Sequence, residues 1–208
     1  GLIVTNYYSS SPVSSPSRVG LTTGRFPTEM GINCYLQTRK GNAACEQFDY
    51  LDASVPTMAK VMKSAGYTTG HFGKWHMGGG RDVIDAPQIT EYGFDEYIST
   101  WESPNPDPVI TDSAWIWSRT DQVKRWDRTA YFVDKTLDFL KRHKGEPCFV
   151  NLWPDDMHTP WVPSQKTMDS ERTSWTTPPN FKEVLTEYDK QIGRLMEGLT
   201  KLGLEKNT

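Results

Sequence analysis

Several features are scarce or missing in this sequence of 208 residues, and each one argues against a class of protein. It has three cysteines and no Cys-x-x-Cys pair, which disfavours a cysteine-based zinc site. No apolar run approaches the length that crosses a bilayer, so we expect no membrane partner. The net charge is −3 without a long basic run, so we expect no nucleic-acid partner. No internal repeat or signal peptide is visible, although a cleaved signal peptide leaves no trace.

What is present is the composition of a folded globular protein. The sequence is 36% hydrophobic and 12% aromatic, with eight tryptophans, and its length suffices for one domain with a core. Two states of the cysteines stay open. Cys34 and Cys45 could close a short disulfide loop and leave Cys148 as a buried thiol, or all three could be reduced.

Three segments have helical periodicity. Residues 54–66 predict a helix with Ser54 as its N-cap and Gly66 at its end. Residues 127–145 predict a second helix and residues 185–202 a third. The predicted inward faces are Met58, Val61, Met62 and Ala65 in the first helix, Ala130, Val133, Leu137 and Leu140 in the second, and Leu185, Tyr188, Ile192, Leu195, Leu199 and Leu202 in the third.

The remaining segments predict strands and loops. Residues 1–8 indicate a short strand or an extended entry, and 67–75 a strand that runs into a loop. The apolar run 147–153 is typical of a strand covered on both faces, whereas 78–126 is polar and irregular. Alternation of helices and strands predicts an α/β layered fold with a largely parallel sheet.

The serine-rich segment SSSPVSSPSRVGLTTGR, residues 9–25, can begin a short helix. Pro16 suits a first turn, which places Ser14 at or just before the helix N-terminus, and Gly24 would end the helix. Free backbone N–H groups at that end favour an anion. Arg18 lies one helical turn after Ser14. Taken alone, a capped surface helix with an incidental serine is the commoner interpretation.

The same residues resemble the type I sulfatase signature, Cys/Ser-x-Pro-Ser-Arg-x-x-Leu-x-Thr-Gly-Arg. The matching positions are Ser14, Pro16, Ser17, Arg18, Leu21, Thr23, Gly24 and Arg25. The resemblance implies an alkaline-phosphatase-like α/β sandwich with a mostly parallel sheet flanked by helices. It also implies that Ser14 is oxidised to formylglycine by a maturation enzyme, and that the hydrated aldehyde attacks the sulfur of a sulfate ester. Arg18 would steady that hydrate.

Two further segments extend the resemblance. The first is GYTTGHFGKWHMG, residues 66–78. By resemblance, Lys74 corresponds to the family's lysine that contacts formylglycine and sulfate. His76 corresponds to the histidine that bonds the formylglycine hydroxyl and takes its proton. Alternation along an extended chain would put both on one side. The second is FVNLWPDDMHTPWVP, residues 149–163, in which His158 corresponds by resemblance to the sulfate-binding histidine near the leaving oxygen. Without Ser14 upstream, a surface lysine at position 74 and a structural histidine at position 76 would be the better interpretations, whereas for His158 a loop histidine braced by prolines is the weaker one. Asp155 and Asp156 are expected to contact solvent or substrate.

The resemblance covers residues 1–208, which would be an incomplete sulfatase catalytic domain from the N-terminal and middle part of the family's sequence. Family members bind calcium through carboxylates and an oxygen of formylglycine. Of these ligands, only Ser14, by way of its modified side chain, has a counterpart in this sequence. Serine in place of cysteine implies maturation by a bacterial oxygen-independent enzyme, and a periplasmic or secreted protein. An engineered Cys→Ser change would look the same.

The expected substrate is a sulfated carbohydrate, such as a glycosaminoglycan or a mucin-type glycan. Trp101, Trp115 and Trp117 could stack on sugar rings, although core packing is the commoner role for any one of them. An aryl sulfate is a further possible substrate. The alternatives are a phosphatase or phosphonate monoester hydrolase of the same superfamily, and a non-catalytic glycan-binding protein in which Ser14 is never modified.

Overall fold

The computed structural model describes residues 3–111 and 116–208. Six α-helices and three β-strands occur in this part of the chain, together with short 3-10 turns. The helices are α1 (Ser14–Thr23), α2 (Arg39–Ala44), α3 (Met58–Ser64), α4 (Arg128–Arg142), α5 (Gln165–Asp169) and α6 (Pro178–Lys201), and the strands are β1 (Thr68–Gly73), β2 (Glu96–Ser99) and β3 (Cys148–Trp153).

The sheet is parallel and has β1 at its centre, in the order β2-β1-β3. The register pairs Gly73 with Ser99 on one side and with Trp153 on the other. All three strands therefore end at the same edge of the sheet. Polar groups that follow the strands gather at this edge, which is where α/β folds place their ligand sites.

Helices cover both faces of the sheet, because alternate strand residues point to opposite sides. On one face Val19 of α1 and Ala59 of α3 belong to an apolar cluster that also contains Trp75 and Tyr92. On the other face Phe72 packs with two phenylalanines of α4, Phe132 and Phe139. The predicted three-layer α/β architecture is confirmed, and helix α6 packs outside against α4.

The predicted start and inward face of α3 were wrong. Thr57, not Ser54, caps the helix, and its hydroxyl accepts the N–H of Lys60. Met58 and Val61 are exposed, while Ala59 is buried. Because the helix starts later than predicted, the side of α3 that faces the sheet is the one that carries Ala59.

The two long helices bury one predicted residue each, Val133 and Leu199, and otherwise bury different side chains than predicted. In α4 the sheet receives Phe132, Val133 and Phe139, and Ala130 and Leu137 are half-buried. In α6 Leu185 is exposed, whereas Val184, Gln191 and Leu199 are buried. The predicted apolar faces of α4 and α6 lie partly at the contact between these two helices. Apolar periodicity in a sequence does not show whether a helix face packs on a sheet or on another helix.

The strands predicted at 67–75 and 147–153 are present as β1 and β3, but β3 is not covered on both faces as predicted. Strand β3 is half-buried along its length because it forms an edge of the sheet among the described residues. Strand β2 lies inside the segment 78–126 that was expected to be irregular. Residues 3–8 form no strand.

Two other expectations have outcomes in the fold. Trp101 and Trp117 are buried, so their faces are not free to stack on sugars, and Trp115 lies outside the described residues. All three cysteines are half-buried free thiols. No helix of the described residues is long and apolar enough to cross a membrane.

Candidate active site

The site begins at the N-terminus of α1. Ser14 is the first helical residue, and Val13 before it offers no side-chain cap to the free N–H groups of the first turn. The helix ends at Gly24, which adopts the left-handed conformation with φ 68°. The predicted helix is confirmed, with the Ser14 hydroxyl at a positively polarised end. The next hydroxyl, Ser15 Oγ, is buried and accepts the N–H of Leu36.

Arg18 connects Ser14 to the edge of the sheet. Its Nε donates to Ser14 Oγ at 2.9 Å, and its Nη1 donates to the Lys74 carbonyl at 2.8 Å. Its guanidinium also lies over the Trp153 ring, 5.1 Å from the centroid. Burial lowers the pKa of Arg18 to about 10, so the group stays charged at neutral pH.

Lys74 follows the last residue of β1. Its N–H donates to the Trp153 carbonyl at 2.8 Å, and its Nζ lies 2.8 Å from Glu102 Oε2. Burial lowers the pKa of the Lys74 ammonium, and the charge of Glu102 opposes that shift. Lys74 is 6% exposed, so this is a nearly buried cation at the carboxyl edge of the sheet.

His76 lies beside Lys74 but does not face Ser14. Its Nε2 bonds to the Leu36 carbonyl at 2.9 Å, which assigns the ring proton to Nε2, and its Nδ1 faces Glu102 Oε2 at 3.2 Å. Burial and the charge of Lys74 lower the pKa of His76 to about 3. Lys74 and His76 both reach Glu102 Oε2, but only Lys74 of the two lines the cavity beside Ser14. The extended backbone was wrong, since His76 has φ 54°.

The loop after β3 brings His158 to the site. His158 is exposed, its Nδ1 bonds to the Thr159 carbonyl, and its own carbonyl accepts Arg125 Nη2 at 3.0 Å. Asp155, which was expected to meet solvent or substrate, is buried and contacts Arg125 at 2.7 Å and Arg128 at 2.8 Å.

Asp156 is buried as well, contrary to the same expectation. Its Oδ2 accepts the Thr129 hydroxyl at 2.6 Å. Burial raises the pKa of Asp156. Asp156 therefore binds inside the protein beneath the His158 loop, whereas Asp155 is bound to the two arginines and also lines the main cavity.

These groups line one cavity of about 930 Å³. Four of the five predicted site residues lie on its wall, and His76 is not among the residues that line it. The wall contains Ser14, Arg18, Lys74 and His158, together with Tyr7, Tyr8, Met157 and Tyr188. A hydroxyl at a helix N-terminus, two cations and a histidine thus surround a space that suits a tetrahedral anion.

The described residues do not by themselves fit a calcium ion. Within residues 3–111 and 116–208, no group of three or more His, Cys, Asp or Glu side chains could hold a metal. The nearest charged neighbours of Ser14 are cations, and the nearby Asp155 is bound to two arginines. Calcium needs several oxygen ligands, which this part of the chain does not supply.

Sequence reasoning missed three parts of the site. Glu102 follows β2, a strand that was not predicted, so nothing in the sequence placed it near Lys74. Arg125 and Arg128 sit at the start of α4, where they look like surface charges in the sequence. The wall contains the tyrosines Tyr7, Tyr8 and Tyr188 besides Trp153; Tyr7 and Tyr8 lie close before the signature, and that proximity was the available signal.

The fold and this site define a family. A Sulfatase family model matches residues 1–208, and the chain belongs to that family. It is similar to N-acetylgalactosamine-6-sulfatase of Rattus norvegicus, with 26% identity over all of this chain and 41% of that protein. It is similar to N-acetylgalactosamine-6-O-sulfatase of Bacteroides thetaiotaomicron, with 25% identity over all of this chain and 50% of that protein.

A solved structure shows the same fold. A Bacteroides thetaiotaomicron sulfatase, described in connection with the metabolism of multiple glycosaminoglycans, matches with a TM-score of 0.69 and 24% identity. The match covers 98% of this chain and 52% of that one. The chain thus spans about half the length of these proteins.

Proposed function

We propose that the protein carrying this chain hydrolyses sulfate esters, with Ser14 as the nucleophile after its oxidation to formylglycine. The observation that carries the proposal is the convergence of Ser14, Arg18, Lys74 and His158 on one cavity at the N-terminus of α1. Membership of the Sulfatase family supports it, as do the names of the relatives.

The chemistry follows from a hydrated aldehyde at position 14. One hydroxyl attacks sulfur, the bond from sulfur to the ester oxygen breaks, and the alcohol takes up a proton as it leaves. The second hydroxyl then gives up its proton, the carbon–oxygen bond to sulfate breaks, and the aldehyde returns; addition of a water molecule forms the hydrate again. An unmodified serine lacks this second step. Its sulfate ester would stay on the enzyme.

The surrounding residues have separate tasks in this proposal. Arg18 holds the oxygen of residue 14 in place, since its Nε already donates there. Lys74 supplies positive charge to the sulfate oxygens, and His158, on the exposed side, lies near the leaving oxygen. His76 would act on residue 14 only after its ring leaves Leu36 and Glu102. Among the described residues, the modified Ser14 is the one calcium ligand that the proposal assigns.

A sulfated carbohydrate is the proposed substrate class. The relatives named above are sulfatases of N-acetylgalactosamine, a sugar. The cavity wall offers Tyr7 and Tyr8, which are 72% and 81% exposed, as flat faces on which a sugar ring can stack. In this proposal Tyr7 and Tyr8 supply the sugar-stacking faces for which Trp101, Trp115 and Trp117 were considered in the sequence.

The proposal includes a bacterial maturation enzyme and export. Serine at position 14 supports oxidation by the oxygen-independent type of maturation enzyme that the sequence resemblance implies. A polymeric sulfated glycan is met outside the cytoplasm, which supports a periplasmic or secreted location.

Replacement of Ser14 tests the proposal. In the whole protein, Ser14→Ala should abolish sulfate release from an aryl sulfate and from sulfated N-acetylgalactosamine, because no oxygen nucleophile remains. Ser64→Ala, at the exposed end of α3, is the control for a lost hydroxyl and should turn over normally. Turnover by Ser14→Ala at the rate of the unchanged protein would remove the proposal.

A phosphatase or phosphonate monoester hydrolase of the same superfamily is the enzymatic alternative. Its dianionic substrate would also be attracted by Arg18 and Lys74, so charge alone does not separate the two. Release of sulfate and of phosphate from matched aryl esters decides between them. We expect sulfate release to be the faster by far; faster phosphate release would select the alternative.

A further inference from the structure

Glu102 is a buried carboxylate that no part of the proposed reaction uses so far. It follows β2, is 7% exposed, and both its oxygens have cationic or imidazole neighbours. Oε2 lies 2.8 Å from Lys74 Nζ and 3.2 Å from His76 Nδ1, and Oε1 lies 3.5 Å from Arg81 Nη2. A carboxylate this far from water is costly unless such partners hold it.

The main chain of Glu102 binds the same loop as its side chain does. The His76 N–H donates to the Glu102 carbonyl at 2.9 Å. Residues 74–76 are thereby attached to the end of β2 at two points. The loop is also fixed from the core side, where Trp75 and Met77 are fully buried.

Glu102 lies behind Lys74 with respect to the main cavity. Lys74 lines that cavity, and it also lines a small recess together with Glu102, Asp155 and His158. Glu102 is not among the described residues that line the main cavity. Of the three N–H bonds on Lys74 Nζ, one points to Glu102, so the other two remain for an anion in front.

We propose that Glu102 is a positioning residue: its carboxylate fixes the Lys74 ammonium against the cavity, and its main-chain carbonyl holds the backbone of His76 beside it. The effect of Glu102 on the reaction rate rests on the proposed function, whereas its effect on the position of Lys74 does not. A free lysine side chain has many rotamers and loses conformational entropy when it is ordered. A lysine whose ammonium group is already fixed loses little further entropy when the transition state forms. Glu102 does not touch the substrate in this account.

The kinetic test compares two substitutions in the whole protein with nitrocatechol sulfate as substrate. Glu102→Gln keeps the shape and removes the charge, and we expect kcat to fall by about 10- to 100-fold while KM changes by less than about threefold. KM is spared because Arg18 and Lys74 still attract the anion. Glu102→Asp keeps the charge and should recover at least about tenfold of the lost kcat.

A matched control distinguishes positioning from general damage. Glu96→Gln in β2 removes a half-exposed carboxylate that binds Arg142 at 2.7 Å, away from the cavity, and should leave kcat and KM unchanged. A kcat of Glu102→Gln within about twofold of the unchanged protein overturns the proposal. Equal losses in the Gln and Asp variants also overturn it, because charge would then not matter.

Crystal structures of the unchanged protein and of Glu102→Gln test the placement without any turnover. We expect the variant to show Lys74 Nζ displaced from the cavity wall or without one defined position. An unmoved Nζ would overturn the proposal whatever the kinetics are. If the unchanged protein releases no sulfate from any ester, the proposed function fails. The comparison of the two crystal structures still decides whether Glu102 positions Lys74.

Discussion

Arg18 shows how much of the site one side chain organises. It lies on α1, yet its guanidinium bonds both to Ser14, one turn earlier, and to the carbonyl of Lys74, which follows β1. The plane of the group also rests on Trp153 of β3. Two donors at fixed angles and a flat face are properties of arginine that lysine does not share.

Arg18→Lys should therefore be severe although the charge is kept. A lysine ammonium cannot donate to residue 14 and to the Lys74 carbonyl with the same geometry, so the nucleophile loses its fixed orientation. We expect kcat for an aryl sulfate to fall by about 100-fold or more. Arg142→Lys, on the exposed side of α4, is the control. Equal kcat in Arg18→Lys and the unchanged protein would contradict the assigned role.

At the residue scale, prediction from the sequence succeeded where contacts are local. Ser14 and Arg18 are four residues apart on one helix, so their contact follows from helix geometry alone. Glu102 and Asp155 were missed or misjudged because their partners come from distant segments. Asp155 binds Arg125 and Arg128, about thirty positions earlier, and no periodicity in the sequence indicates such a pairing.

At the element scale, the end of β1 determines where Lys74 lies. Gly73 has φ 128°, and a Cβ at this position would overlap the carbonyl group of Trp153 on β3. The absence of a side chain lets the two strands stay paired up to their last residues. The Lys74 N–H can then reach the same Trp153 carbonyl.

Gly73→Ala should consequently damage both stability and activity. Gly66→Ala is the matched control, because Gly66 also has a positive φ, 87°, but open space around the position of a Cβ. We expect Gly66→Ala to lower the free energy of unfolding by about 1–2 kcal/mol from backbone strain alone. Gly73→Ala adds the cost of overpacking, about 1–3 kcal/mol more.

Urea unfolding measures both variants. Gly73→Ala should also lose kcat, since Lys74 shifts with the strand end, and Gly66→Ala should not. If the two variants unfold at the same urea concentration, the close approach of β1 and β3 at Gly73 is not what stabilises this edge.

The elements themselves were predictable to different degrees. Helix α1 and strand β1 were right because a proline, glycines and a signature mark their ends. Strand β2 was missed, since it is four residues long and lies in a polar segment. The buried faces of α4 and α6 were misjudged because each helix packs on more than one neighbour, and the sequence does not rank those neighbours.

At the scale of the whole molecule, a buried ionic network supports the His158 loop. Asp155 binds Arg125 and Arg128, and Arg128 also lies 3.3 Å from Asp121. Burial alone would favour a protonated carboxyl. The two arginines outweigh it and hold the pKa of Asp155 well below its usual range. The stabilisation that Asp155 provides is therefore present above the pKa of an unfolded aspartate and is lost only as pH falls through the depressed pKa.

Asp155→Asn should lower the free energy of unfolding at neutral pH by about 3–5 kcal/mol, because the buried guanidinium groups of Arg125 and Arg128 lose the carboxylate they share, and Arg128 keeps its longer contact with Asp121. Asp134→Asn breaks an exposed pair with Arg194 and should cost about 1 kcal/mol or less. Urea unfolding of both variants provides the comparison. Equal small losses would mean that the network under the His158 loop carries no more stability than a surface ion pair.

The mass of the peptide that contains Ser14 tests the central claim most directly, when it is measured on preparations of known sulfatase activity. The account predicts a peptide that is lighter by two hydrogens than the serine form, in a proportion that rises with the rate of sulfate release. An unmodified serine throughout a preparation with full activity would contradict formylglycine as the nucleophile.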